Sequence, residues 1–228
     1  MLIRAQFSQA ATIRPGDIDW VASPLPGVDR LMLDRIGGEV ARATTIVRYA
    51  AGSYFDPHTH SGGEEYLVLS GVFSDEHGDQ PAGTYVRNPI GTAHKPFSAN
   101  GCTIFVKLHQ FAEGDNHQFQ IDTKAASYLP TADEGVSILP LHHTPSEDVA
   151  MLKLAPRAGP VTRHYPGGAE LLVIEGTISD QDGDYPVGSW LRLPPGCEHR
   201  ISSADGTLIW TKTGHLAPDV LGKWTSLA

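Results

Sequence analysis

Residues 56–65 read DPHTHSGGEE, with His58 and His60 one residue apart and Glu64 and Glu65 just past a Ser-Gly-Gly turn. A strand alternates its side chains, so imidazoles at i and i+2 share a face and can reach one ion. His94 follows Asn-Pro-Ile-Gly-Thr-Ala, a turn-rich lead-in that can deliver it from a neighbouring strand. Three neutral imidazoles and a carboxylate suit one divalent transition metal: zinc or iron, or else manganese, nickel or copper. A closed structural zinc site more often carries cysteines. Alternation makes Glu64 and Glu65 exclusive, one facing the ion and the other facing away.

The elements that must position these donors occur twice. Residues 61–108 and 166–213 align without a gap, with Gly71 matching Gly176, Gly83 matching Gly188, Pro89 matching Pro194 and His94 matching His199, each pair 105 apart. The chain is a tandem duplication of one unit of common domain size. Within each copy, EYLVLSGVFSD and ELLVIEGTISD are short apolar runs closed by the turn signals DEHGD and QDGD. TYVRNP and SWLRLP read as strands ended by proline, which has no N–H to donate. Short, evenly spaced strands with little helix predict an all-β fold of antiparallel sandwich or barrel type.

Gly52, His58, His60, Glu64 and Gly71 resemble the first motif of the cupin superfamily, and Gly83, Pro89, Gly91 and His94 resemble its second. The family's closing Asn falls at Ser98, a departure from the pattern. A lone His-x-His pair is a weak motif, but four donors at family spacing, flanked by matched glycines and a proline, are specific. The resemblance covers roughly 40–110 and 148–215. It implies two tandem RmlC-like jelly-roll β-barrels, a bicupin, with the wording of the first repeat closest to the cupin module of ChrR-type anti-sigma factors. It implies metal binding by His58, His60, Glu64 and His94, since the six-residue step to Gly71 favours Glu64 over Glu65. The expected partition is an N-terminal cupin over 1–112, a linker and entry strand over 113–147, and a C-terminal cupin over 148–228.

The 105-residue offset also tests the second copy. His58 becomes Arg163, His60 becomes Tyr165, Glu64 becomes Ala169, and His199 alone keeps its type. His164 lies one residue out of phase, and Glu170 corresponds to Glu65. The second barrel is therefore expected to hold no metal or to hold it weakly. Arg163, Tyr165 and His199 are read either as packing residues or as the lining of a small-anion pocket, since arginine suits carboxylates. Tyr66 shares the phase of Glu64, and Phe105 and Trp210 are equivalent core aromatics.

The chain of 228 residues carries a formal net charge of −9, which argues against nucleic acid as a partner. Two cysteines, Cys102 and Cys197, exclude a disulfide framework and a cysteine-rich zinc module. The N-terminal segment has no apolar core of signal-peptide length, and no apolar run is long enough to span a membrane, so the cytoplasm is expected. Family analogy implies a homodimer and a small-molecule ligand. Two functions follow: a dioxygenase-like metalloenzyme, or a ChrR-like sensing protein whose cupin binds zinc. The anti-sigma mechanism needs a His and Cys cluster near the N-terminus, and the first 50 residues contain neither type. That argues against a sigma factor as partner.

Overall fold

The computed structural model describes every residue except 39, 223 and 225–228. The expected all-β architecture is present, and among the described residues the one helix is the single turn Pro218–Leu221. Among the described residues, no helix is long and apolar enough to cross a membrane. The chain forms two compact units, the first from Met1–Ala5 and Asp19–Ala125, the second from Gln6–Ile18 and Ala126–Ala228.

The long strand Glu64–Asp75 organises the first unit. It pairs antiparallel with Thr84–Asn88 on one side and with Cys102–Leu108 on the other. The sheet continues through Ala41–Tyr49 to Val28–Gly37. The far end of Glu64–Asp75 turns into a hairpin with Gly78–Pro81 and also pairs with Phe97–Ser98. The second unit repeats this order around Ala169–Asp180, with Trp190–Leu193 and Thr207–Thr213 as its neighbours.

The duplication reaches fine detail. Both central strands carry a register shift against the following strand, between Thr103 and Ile104 in the first unit and between Val173 and Glu175 in the second. Just past it, Gly71 and Gly176 have φ of 71° and 72°. A Cβ there would stand 2.2 Å from the carbonyl oxygen of Gly101 and 2.0 Å from that of Gly206. Only glycine fits such a close approach at positive φ.

The edge strands divide the chain differently from the contiguous partition at 112 and 148. Residues 113–125 complete the first unit, where Phe119–Asp122 covers the edge of Thr84–Asn88. Residues 126–147 already carry Leu129–Pro130 and Val136–Thr144 of the second unit. The edge of Trp190–Leu193 is covered by Ala11–Ile13, from the start of the chain. An uncovered edge would leave backbone N–H and C=O groups unpaired, so each unit recruits a strand from outside its own repeat.

Each unit has its own apolar core. In the first it gathers around Tyr49, Tyr66, Phe73 and Ile104; in the second around Tyr165, Leu171, Ile178 and Ile209. Phe105 and Trp210 are each 1% exposed, so both equivalent aromatics are core residues. Truncating a buried aromatic to alanine costs about 3–5 kcal/mol.

Candidate metal centre

The two-residue strand His58–Thr59 pairs antiparallel with Ala93–His94, and His58 stands directly opposite His94. His60 follows on the same face as His58, and the backbone N–H of His60 donates to the carbonyl of Thr92. Glu64 then opens the central strand. The three imidazole centroids lie 4.7–5.2 Å apart. One donor atom from each of His58, His60, Glu64 and His94 lies within 4.8 Å of the others, a set that could hold a metal ion.

The hydrogen bonds around the rings fix how these donors point. His58 Nδ1 lies 2.9 Å from the carbonyl oxygen of Asp56, which can only accept. His60 Nδ1 lies 2.9 Å from Thr92 Oγ1, whose own proton goes to the carbonyl of Pro89 at 2.7 Å. The Thr92 oxygen therefore accepts from His60. His94 Nδ1 lies 3.1 Å from Asp75 Oδ2, again an acceptor. Nδ1 of all three imidazoles is thus engaged by an outward partner, an arrangement that leaves Nε2 for the centre. Nε2 of His60 and of His94 are buried without a hydrogen bond, 3.3 and 3.5 Å from Glu64 Oε2. Buried polar atoms rarely go unmatched. Two orphaned ring nitrogens beside a carboxylate, with His58 in the same four-donor group, fit a divalent cation, and the outward hydrogen bonds are of the kind that orient metal-ligating histidines.

The electrostatics of the two buried histidines differ. Burial pulls the His60 pKa below its ordinary value, with help from the neighbouring His94 and His58 and against the attraction of Glu64. Burial also acts to lower the pKa of His94, but the hydrogen bond to Asp75 and the charges of Glu64 and Asp75 outweigh it and raise the pKa. Asp75 is lowered: burial opposes this, and the hydrogen bonds from His94 and from the His77 N–H prevail.

Glu64 and Glu65 separate as strand alternation requires. Glu64 faces the histidines and accepts a long hydrogen bond of 3.4 Å from Asn88 Nδ2. Glu65 faces the other way, where it accepts from Tyr85 Oη and Arg87 Nη1, both at 2.7 Å. Tyr66 shares the inner face with Glu64 as expected, fully buried with its ring 5.0 Å from that of Phe73. Ser98, at the family's Asn position, donates to the carbonyl of Val72 at 2.6 Å.

The donors open onto a cavity of about 460 Å³. Its wall is apolar at Tyr49, Phe55, Phe73 and Ile104, and polar at Arg30 and Arg35.

The second unit keeps the scaffold without the donors. Arg163 reaches Asp133 at 2.9 Å, Tyr165 packs into the apolar core, and His199 Nε2 lies 2.7 Å from Asp180 Oδ2. The ring of His199 is thereby reversed relative to His94, with the nitrogen that would face a centre turned onto the carboxylate. Among the described residues, His199 belongs to no group of three or more donors that could hold a metal. His164 is exposed and lies 3.4 Å from Glu198 Oε2. Glu170 is buried on the opposite face, where it accepts from Trp190 Nε1 and meets His215 Nε2. Cys102 and Cys197 are free thiols, the first buried.

Sequence reasoning missed Asp75, Thr92, Arg30 and Arg35. Asp75 had a signal: it ends GVFSD as Asp180 ends GTISD, 105 residues on, beside a histidine at the same offset. Arg30 and Arg35 lie upstream of the aligned segments and had none.

The family model for the ChrR cupin-like domain matches this chain twice, over residues 8–112 and 116–217. No curated protein matches it. Among solved structures, a proposed dioxygenase from Nostoc punctiforme shares 13% identity with a TM-score of 0.74, covering 90% of this chain and 82% of that one. The bacterial pirin YhhW from Escherichia coli, solved in complex with nickel(II), shares 12% identity at a TM-score of 0.64, covering 90% and 98%. A variant of oxalate decarboxylase from Bacillus subtilis shares 13% identity at a TM-score of 0.60, covering 89% and 76%. At these identities the likeness is one of fold: two tandem cupin domains.

Proposed function

The chain belongs to the ChrR cupin-like domain family, and from that premise we propose that it is a metal-dependent small-molecule enzyme of dioxygenase type. Its centre is the group His58, His60, Glu64 and His94 in the first unit. The observation that carries this reading is the common orientation of the three imidazoles, each with Nδ1 engaged outward. A divalent transition metal held there supplies Lewis acidity and, when redox-active, electrons for oxygen chemistry. The chain's own residues do the rest. Thr92 and Asp75 lock two imidazoles in place, and Asn88 steadies Glu64. The fold neighbours, one of them a proposed dioxygenase and another a nickel-bound pirin, support a metal in such a barrel.

The test is oxygen uptake by the iron-, manganese-, nickel- and copper-loaded protein with small organic acids and dicarbonyls. Uptake that vanishes in His58→Ala supports the reading; the absence of uptake with every metal and substrate in the panel sinks it. A second reading takes its cue from the ChrR in the family's name: a sensing module that binds zinc and turns nothing over. Zinc as the resident metal, with ligand binding but no turnover, would select it.

A further inference from the structure

The ribbon that carries the histidines is built differently in the two units. In the second unit Ala158–Tyr165 pairs with Cys197–Ser203, and past one register shift the ladder runs unbroken from Val161–Ile201 to Tyr165–Cys197. The 105-residue offset places the same segments of the first unit at 56–60 and 92–96. There the ladder breaks into two pieces: Ser53–Tyr54 pairs with Phe97–Ser98, and His58–Thr59 pairs with Ala93–His94. The break has a cause in the sequence. Pro57 stands where the second unit has Thr162, and Pro96 where it has Ile201. Proline brings no N–H and holds φ near about −65°, so a ladder does not run through it. The piece with the histidines is a two-stranded sheet of its own, whereas the matching strands of the second unit belong to its ten-stranded sheet.

Three of the four donors, His58, His60 and His94, come from this separate ribbon, and the fourth, Glu64, opens the central strand. The contact of His94 with Asp75 joins one strand of the ribbon to the main sheet. An ion bound by all four donors adds the other strand, through His58 and His60. In the second unit, where Arg163, Tyr165 and Ala169 replace three of the donors, the continuous ladder does this holding. The ribbon is also a wall of the cavity, through Phe55, Pro57, His58, His60 and Pro96.

We propose that this ribbon is a flap latched by the metal. Without an ion it hinges at Pro57 and Pro96 and opens the cavity; with the ion it closes against Glu64. The wall of the cavity is then complete only in the loaded protein, so metal occupancy regulates what the cavity can hold. The proposal deepens the metal-centre reading and rests on it for the ion.

The test is hydrogen exchange, read by mass spectrometry, on the full chain stripped by a chelator and on the same protein reloaded with zinc or nickel(II). Metal content is measured on every sample, and the second ribbon is the internal control. In the stripped protein the amides of His58, Thr59, Ala93 and His94 should be protected at least about tenfold less than those of Arg163, His164, Glu198 and His199. Metal at about ten times its dissociation constant should raise the first set by about tenfold and leave the second unchanged. Pro57→Thr with Pro96→Ile, which grafts the second unit's residues, should raise the protection of the stripped ribbon toward that of its counterpart. The wild-type comparison decides the matter even if the graft fails to fold. Equal protection of the two ribbons in the stripped protein overturns the flap, as does a metal response shared by both ribbons or absent from the first in a protein shown to be loaded. Weak protection of the first ribbon in a protein that takes no metal would keep the hinge and remove both the latch and the metal-centre reading.

Discussion

Asp75 Oδ2 lies 3.1 Å from Nδ1 of His94, and this contact aims the opposite ring nitrogen at Glu64. In the second unit the equivalent pair, Asp180 and His199, meets through Nε2 at 2.7 Å, and the ring is reversed. The same Asp–His pair is thus made through Nδ1 in the first copy, where it turns Nε2 toward Glu64, and through Nε2 in the second, where Nδ1 is left buried without a hydrogen bond.

Asp75→Asn should therefore weaken metal binding while leaving the fold intact. Outer partners of metal-bound histidines are typically worth 10–100-fold in affinity. Competition against a chromophoric chelator measures this. Unchanged affinity would show that the Asp75 contact does not position His94.

Glu64 and Glu65 make a paired prediction. Glu64→Gln should lose the metal, with little change in the melting temperature of the metal-free protein. Glu65→Gln should keep the metal but destabilise the protein by about 3 kcal/mol, because it weakens a buried ion pair with Arg87. Metal analysis and urea denaturation of both variants separate the two roles, and the reverse pattern would mean that the strand phase is misassigned.

The Asp180 carboxyl is held below its usual pKa. Burial works against this, and hydrogen bonds from His199, the Asp182 N–H and Tyr185 outweigh it. A depressed carboxyl stabilises the fold above its unfolded pKa of about 3.9 and loses that contribution as pH falls through the folded value. Asp180→Asn should accordingly lower the melting temperature at pH 6–7, and the gap from wild type should close on acidification below about pH 4. A gap that persists or widens in acid would contradict this assignment.

The strand phases, the duplication and the grouping of His58, His60, Glu64 and His94 were legible because each rests on local rules. Alternation placed His58 and His60 on one face and separated Glu64 from Glu65, and the glycines that set the repeat are required by contacts such as the one at Gly71. What stayed hidden depends on distant pairing. Nothing local shows that Ala11–Ile13 completes the second unit. The reversed ring of His199 is also invisible in a sequence that keeps both Asp180 and His199.

Gly71→Ala and Gly176→Ala test the shared scaffold. Each would bring a Cβ against a carbonyl oxygen at positive φ. Strain of this kind costs of order 1–3 kcal/mol. Chemical denaturation should show both variants destabilised; a neutral Gly71→Ala would mean that the strand relaxes at the bulge.

The central claim is one live centre and one that has lost its donors. The most direct test is elemental mass spectrometry of protein purified without a metal-affinity tag, alongside the His58→Ala/His94→Ala double variant. The account predicts about one transition-metal ion per chain, lost in the variant, from the single four-donor set of the first unit. Two ions per chain, or none after reconstitution with each candidate metal, would contradict it.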